Sequence, residues 1–299
     1  MMKILMAMIN YNTSLKTISC LKSVLNLNTV HNLDIIVIDN STNIKEKIIL
    51  KEYLEILIDN KFLITYVDSN GNIGYAKAMN PQIKKALEYK YDYIWLLNND
   101  LELESNALDI LISFAIAHPK GIYCSLQKDF VNRNKIIETG TINMDSFKGY
   151  AIPTYKNSDE FIEVDAVLGA SLVIDVKIVE ETNIFLSEHY FIYMEENDYC
   201  YRMKLLGYKS YVVMKSIVYH EAGGSGGTGN PLIWYYRIRN LLLFKYEFQS
   251  NRIKVFLLGI YFIIMTIVRY RLKINFVKAS IFAFIDAYFN RNEKSKREF

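Results

Sequence analysis

Short apolar runs alternate with longer amphipathic stretches over the first hundred residues, and few folds accommodate that order. Residues 4–9, 35–38, 63–67 and 93–97 are almost wholly aliphatic or aromatic, whereas 15–25, 44–58 and 76–89 carry apolar side chains at helical spacing. Strands that are apolar on both faces and separated by helices build a parallel sheet covered on both sides. In such sheets ligands gather at the carboxyl ends of the strands. The opening residues 1–9 hold one Lys and a short apolar run that ends in Asn10-Tyr11-Asn12; this is too brief for a secretory core and has no small-residue cleavage site, so it reads as the first strand.

The pattern loosens after His118-Pro119. Short strands are expected at 122–126 and along 164–174, a polar loop at 155–160, and a helix at 196–206 stopped by Gly207. This half reads as α+β structure completing a single site. With 51% hydrophobic and 22% charged residues in 299, the chain is a folded protein able to bury a full core. Cys20, Cys124 and Cys200 are widely spaced and odd in number, which suggests neither a disulfide framework nor a cysteine zinc site and fits a reducing cytoplasm.

Charge is unevenly placed. The net charge is +3, yet from Arg237 onward 13 Lys/Arg stand against 4 Asp/Glu, a balance of +9 that leaves the first 236 residues at −6. A nucleic-acid binder would carry its basic charge on the binding face, so that class is excluded for the acidic part. Within the basic part, residues 255–268 are almost wholly apolar, with Arg252 and Lys254 before them and Arg269, Arg271 and Lys273 after. As a helix, this stretch spans roughly 21 Å, short of the ~30 Å bilayer core. A buried core helix and a helix lying in one leaflet of an anionic membrane both fit; the basic flanks favour the second.

Several polar groups fall where strands end. Asn98-Asn99-Asp100 closes the run 93–97, and Asp100 would suit a divalent cation that neutralises a diphosphate leaving group, although Asn and Asp also gather in ordinary turns. Asp39, followed by Asn40-Ser41-Thr42, could accept from the imide N–H of a pyrimidine or cap a helix. Asn10, Tyr11 and Asn12 could frame the same base. Asn70-Gly71-Asn72-Ile73-Gly74 lets backbone approach a ligand ahead of a helix, but it lacks the G-x-G-x-x-G spacing. The glycine run 223–229 is no P-loop; it reads as a linker or as a loop closing over a ligand. Glu195, Glu196 and Asp198 open a helix, where the macrodipole alone accounts for one acid; three, behind Tyr190-Phe191-Ile192-Tyr193, suit a general base. His220 is either structural or a second contact to the cation held by Asp100.

Taken in order, Asn10-Tyr11-Asn12, Ile38-Asp39-Asn40-Ser41, Gly71-Asn72-Ile73-Gly74 with Asn80, Leu97-Asn98-Asn99-Asp100, Leu168-Gly169-Ala170-Ser171, the stretch from Tyr193 through Glu195-Glu196-Asn197-Asp198 to Arg202, and His220 resemble family 2 glycosyltransferases of the GT-A fold. The likeness covers roughly residues 3 to 240. Tyr235-Tyr236-Arg237-Ile238-Arg239-Asn240 and Ile285-Asp286-Ala287-Tyr288-Phe289 resemble the rhamnosyltransferase-like branch. The resemblance implies an α/β chain with a mixed, mostly parallel sheet flanked by helices. Residues 1–118 would form the nucleotide-binding half, 119–240 the acceptor-binding half, and 241–299 a helical, membrane-associating extension.

By the same resemblance, Asp39 binds the base and Asn98 lies near the ribose, with Asn10, Tyr11, Asn12, Asn72, Gly74, Asn80 and Asn99 around the nucleotide sugar. Gly169, Ala170 and Ser171 lie toward the acceptor, Asp100 and His220 hold Mg²⁺ or Mn²⁺, and Glu196 is the base. Asn98 replaces the family's first metal-motif Asp, and Glu195-Glu196 replaces its Glu-Asp pair, which leaves Glu196, Glu195 and Asp198 all open as the proton acceptor. The Gln-x-x-Arg-Trp element of processive synthases is absent. The implied activity is single inverting transfer from a dTDP- or UDP-linked sugar, rhamnose among the candidates, to a glycan or lipid-linked acceptor in cell-surface polysaccharide synthesis, by a cytoplasmic protein peripheral to the inner membrane face. A sugar nucleotidyltransferase, expected to show a glycine-rich basic loop where Asn12-Thr13-Ser14 stands, and a non-catalytic nucleotide-sugar binder are the rival readings.

Overall fold

The computed structural model describes all residues except 58–60, 138, 147–150, 157–158, 222–228 and 298. The first elements are β1 (Lys3–Asn10), α1 (Ser14–Leu25), β2 (Asn32–Asp39), α2 (Ile44–Ile56), β3 (Leu63–Asp68), α3 (Tyr75–Glu88), β4 (Tyr93–Asn98), β5 (Leu101–Leu103) and α4 (Ala107–Ala117). They continue through β6 (Gly121–Asp129), β7 (Gly140–Thr141), β8 (Phe161–Val164), β9 (Ala166–Val167), β10 (Ser171–Asp175), α5 (Val176–Thr182), α6 (Glu195–Leu205) and β11 (Lys209–His220). Three helices close the chain: α7 (Pro231–Phe248), α8 (Arg252–Arg269) and α9 (Ile274–Tyr288).

One sheet runs through the molecule in the order β3-β2-β1-β4-β10-β6-β11-β5, with β8 added on β11. The first four strands are parallel; β10 enters antiparallel between β4 and β6, and β11 returns parallel to β6. Because β1 has β2 on one side and β4 on the other, the winding reverses at the β1/β4 boundary, where a crevice opens at the strand ends. Ile4 to Met8 and Ile94 to Leu97 are entirely buried, as strands covered on both faces must be. Trp95 keeps its indole satisfied in the core by donating to Ser171 Oγ at 3.1 Å. The sheet crosses residue 118 without interruption, and residue 240 lies inside α7, so a division there would cut a helix.

Two regions differ from the expectations. The run 164–174 is not one strand: the Leu168-Gly169-Ala170 turn breaks it between β9 and β10, and that turn is brought to the cleft. The apolar stretch 255–268 extends to α8 of 18 residues by taking in its basic ends, and it is neither buried nor bare. Val255, Leu258, Gly259 and Thr266 face the neighbouring helices, whereas Leu257, Tyr261, Ile264 and Val268 are exposed. A Cβ on Gly259 would fall 2.2 Å from the Phe284 ring, which shows how closely α8 and α9 approach. Among the described residues no helix is long and apolar enough to cross a membrane. The α6 terminus matches its expected stop: Gly207 takes φ +89° and donates to Lys204 O at 2.9 Å.

Candidate active site

A cleft of ≈ 300 Å³ opens at the carboxyl ends of β1 and β4 and is lined from four directions. Tyr11 and Thr13 come from the end of β1, Asn72 and Gly74 from the turn before α3, and Asn98, Asn99 and Asp100 from the end of β4. Gly169, Ala170, Glu195, Glu196, His220 and Arg237 complete the lining.

Beneath the β1/β2 side of the cleft, polar groups are bonded to one another. Fully buried Asp39 accepts from Asn10 Nδ2 (3.1 Å), Ser41 N (2.9 Å) and the Tyr66 hydroxyl (2.9 Å). Asn10 Nδ2 also donates to Ser41 Oγ, and Asn10 Oδ1 accepts from Thr17 Oγ1 at 2.8 Å. Asn99 donates to Thr13 Oγ1 and Thr17 Oγ1, each at 2.8 Å, which ties the β4 end to α1. Asn12, with φ +51°, pins the next loop by accepting from Thr42 N and Asn43 N. Burial, followed by the bond to Asp39, pushes the Tyr66 hydroxyl up from its ordinary value. Asn10, Asn12 and Asp39 are therefore placed below the cleft wall, whereas Tyr11 and Asn40 form the wall itself.

The opposite corner is not closed in this way. Asp100 Oδ1 is buried and has no hydrogen-bond partner among the described residues; it lies 3.3 Å from His220 Nε2. His220 Nδ1 is 3.0 Å from Gln127 Oε1; in the tautomer whose Nδ1–H donates to that oxygen, Nε2 presents its lone pair toward Asp100. A carboxylate oxygen and an imidazole lone pair facing each other are a donor set that a divalent cation fits. The register that brings them together is set when β5 pairs with β11, His220 opposite Leu101. Among the described residues no third His, Cys, Asp or Glu joins them, so the other coordination positions would fall to water and ligand oxygens.

The acids sit on a strained turn. Tyr193 (φ +68°) and Met194 (φ +89°) are consecutive non-glycine residues in the left-handed region, an arrangement that costs energy and has to be held by its surroundings. Asn240 of α7 holds it, donating through Nδ2 to Ile192 O (2.8 Å) and Tyr193 O (2.9 Å). Gly74 faces the same loop; a Cβ there would lie 2.7 Å from Phe191 O, and φ is +91°. Only a glycine admits that approach.

The three acids have different surroundings. Burial, then the neighbouring charge of Glu196, pushes the Glu195 carboxyl well up, and its Oε1 has no hydrogen-bond partner. Burial also raises Glu196, whose side chain rests on Gly169, where a Cβ would meet Glu196 Cγ and Cδ at 3.3 Å. Asp198 is buried in an ion pair with Arg202 at 2.6 Å and is pushed up to about 6 by burial against the pull of that guanidinium. It does not line the cleft. Nor does Asn80, which bonds Leu186 and Glu188 on the α3 side, or Ser171, which is engaged by Trp95. The glycine run 223–229 lies, apart from Gly229, outside the described residues.

Sequence reasoning missed part of the lining. Arg237, one helical turn before Asn240, reaches the cleft and stacks 5.2 Å from the Tyr193 ring centroid. Sequence reasoning counted it in the basic C-terminal balance and within the Tyr235-to-Asn240 segment, but assigned it no place in the site; that segment was the available signal. Asn40, Thr13, Tyr75 and Phe191 also line the cleft, each adjacent to residues already singled out.

A mixed sheet wound parallel through β3-β2-β1-β4, with a strand-end cleft at the winding reversal, defines a GT-A-like α/β protein. The chain belongs to glycosyl transferase family 2, whose family model matches residues 6–181. Over 146 residues it is 30% identical to the low-salt glycan biosynthesis hexosyltransferase Agl10 of Haloferax volcanii, covering 47% of this chain and 46% of that protein. The chain thus aligns with less than half the length of that curated relative. TarS of S. aureus superposes with TM-score 0.57 at 15% identity, covering 96% of this chain and 81% of that one. The mannosyltransferase PcManGT of Pyrobaculum calidifontis, solved with GDP-Man and Mn²⁺, superposes with TM-score 0.60 at 11% identity over 96% and 75% of the two chains. At these identities the structural likeness is one of fold.

Proposed function

We propose that the protein transfers a sugar from a nucleoside diphosphate donor to an acceptor hydroxyl by a single, inverting, metal-dependent displacement. The observation that carries this reading is the convergence on one cleft of the Asp100/His220 corner and the raised Glu196 carboxyl. In this reading Tyr11 and Asn40 flank the base, Asp39 and Asn10 hold that wall, and Asn98 lies toward the ribose. Asp100 and His220 would hold Mg²⁺ or Mn²⁺, which supplies charge neutralisation for the departing diphosphate. Arg237 adds the guanidinium of the cleft on the same anion. Glu196, against Gly169, takes the proton of the acceptor hydroxyl, which attacks the anomeric carbon from the face opposite the nucleotide. Asp198 is spoken for by Arg202, which leaves Glu196 ahead of Glu195 because Glu195 is the more deeply buried.

Support for a nucleotide sugar and a cation comes from structures of the same fold solved with UDP-GlcNAc, with GDP-Man and Mn²⁺, and with UDP, GalNAc and Mn²⁺. Rhamnose from dTDP- or UDP-rhamnose is the donor favoured by the Arg239-Asn240 and Ile285-to-Phe289 patterns. A glycan or lipid-linked acceptor, and a cytoplasmic position on the inner membrane face, are favoured by the exposed apolar side of α8 between basic ends. Residues 1–118 would serve the donor, joined at its diphosphate by His220 and Arg237; the rest of 119–240 would serve the acceptor, and the helices that follow would serve the membrane surface. A screen of nucleotide sugars with Mg²⁺ or Mn²⁺, read as nucleoside diphosphate release and then as acceptor dependence, tests this. Pyrophosphate release would assign a nucleotidyltransferase instead, and ligand-induced stabilisation with no transfer would assign a binding protein.

A further inference from the structure

A second cavity, of ≈ 620 Å³, lies between α7 and the tail that follows α9, and its lining shares no residue with the cleft. Five cationic side chains line it (Arg239, Arg291, Lys294, Lys296 and Arg297) against the carboxylates of Asp286 and Glu293. Asp286 is already engaged. It accepts from Arg297 Nε and Nη2 (2.9 and 2.8 Å), Arg291 Nη1 (3.3 Å) and the Tyr235 hydroxyl (2.8 Å).

Arg239 has no such partner. It is 1% exposed, and among the described residues its hydrogen bonds go only to neutral acceptors: Asn240 Oδ1 (2.9 Å), Glu293 O (2.7 Å) and the Tyr235 hydroxyl (3.3 Å). Among the described residues Nη2 has no hydrogen-bond partner. The guanidinium lies 4.9 Å from the Tyr236 ring centroid and 5.3 Å from that of Tyr235. A buried charge without a counter-ion is costly, and an anion in the cavity would remove that cost while using the open donor.

We propose that this cavity is a second ligand site, for a phosphate-type anion, with Arg239 at its floor and Lys296 at its rim. The open Nη2 of a guanidinium with several flanking cations suits the several oxygens of a phosphate or diphosphate better than the two of a carboxylate. Tyr288 and Phe289, 55% and 61% exposed, immediately precede the lining segment, and Phe256 of α8 packs on Tyr288. The phosphate can therefore belong to a soluble compound or to a lipid headgroup whose chains meet that apolar edge. The same Arg239 orients Asn240, the residue that holds the acid loop. The site itself stands whether or not the cleft transfers sugar.

The test uses the full chain with EDTA present and inorganic pyrophosphate as probe, titrated by calorimetry and thermal shift against chloride at matched ionic strength. A saturable rise in Tm is expected. Lys296→Gln should weaken binding about fivefold and Arg239→Gln about tenfold, while Asp100→Ala should bind as the wild type does. Absence of a saturable rise, a rise unchanged in Lys296→Gln, or one lost in Asp100→Ala overturns the proposal; the exposed Lys296 keeps it testable should Arg239→Gln fail to fold. Sedimentation with phosphatidylcholine vesicles containing phosphatidic acid separates the sources. Binding displaced by pyrophosphate and weakened in Lys296→Gln supports a headgroup. Pyrophosphate binding that leaves vesicle sedimentation unchanged supports a soluble phosphate.

Discussion

The two sides of the cleft are built on opposite principles. On the β1/β2 side, Asn10, Asp39, Ser41, Tyr66, Thr17 and Asn99 satisfy one another, so the wall is preorganised and a ligand there meets groups already fixed. On the α6/β11 side, Asp100 Oδ1 and Glu195 Oε1 lack hydrogen-bond partners among the described residues, two backbone residues are strained, and burial raises both Glu195 and Glu196. Unsatisfied and strained groups lower stability and are retained where they act. If the proposed function holds, the first side serves recognition and the second chemistry, and substitutions should divide between them: stability loss on one, activity loss with little stability loss on the other.

The sharpest division is expected at Asp100. Asp100→Ala should lower metal-dependent nucleoside diphosphate release by about 10³-fold or more, while the denaturant midpoint stays near wild type because no hydrogen bond to Oδ1 is lost. Release that persists in the mutant would remove the metal corner from the mechanism. Glu196→Gln comes next: it keeps the contact with Gly169 but cannot take a proton, and turnover should fall about 10²-fold with the donor KM unchanged. A rise in donor KM at constant turnover would instead assign Glu196 to donor binding.

On the satisfied side the expected loss is in folding. Asn10→Ala removes bonds to Asp39, Ser41 and Thr17 in a fully buried place, leaving a carboxylate oxygen and two hydroxyls without one partner each; about 3 kcal/mol of stability should go. Tyr66→Phe deprives Asp39 Oδ2 of one donor and should cost about 1–2 kcal/mol. Urea unfolding measures both. If Asn10→Ala unfolds like wild type while donor binding collapses, the buried network is itself a ligand contact and the contrast between the two sides fails.

How much of this was legible beforehand follows the same divide. The parallel strands were readable because burial on both faces leaves nearly unbroken apolar runs, and Asp39 and Asp100 stood out as acids at their ends. α4 escaped because Leu108 to Ala117 is apolar around nearly its whole circumference, with no polar face to mark a helical period. The turn at Leu168-Gly169-Ala170 lay hidden inside an apolar run. Arg237 and Asn240 could be placed in a helix by their surroundings, but their separate tasks, one at the cleft and one on the acid loop, depend on how α7 packs against Ile192 and Tyr193. No local spacing encodes that contact.

The smallest expected effect tests the cost of the chemical side directly. Glu195 is buried, and its carboxyl is held well above the ordinary value by burial first and by Glu196 second. In the unfolded chain it would ionise near its ordinary value of 4.5. A carboxyl whose folded value is raised contributes full stability below the unfolded value and loses that contribution as pH rises toward the folded one. Wild-type stability should therefore decline with rising pH over that window, and Glu195→Gln, which stays neutral, should flatten the decline. The mutant should gain over wild type at pH 8 and lose the gain at pH 4, measured as denaturant midpoints across the range. An equal difference at both pH values would show that folding does not shift the Glu195 carboxyl, and the contrast between the α6/β11 side and the wall it faces would fail.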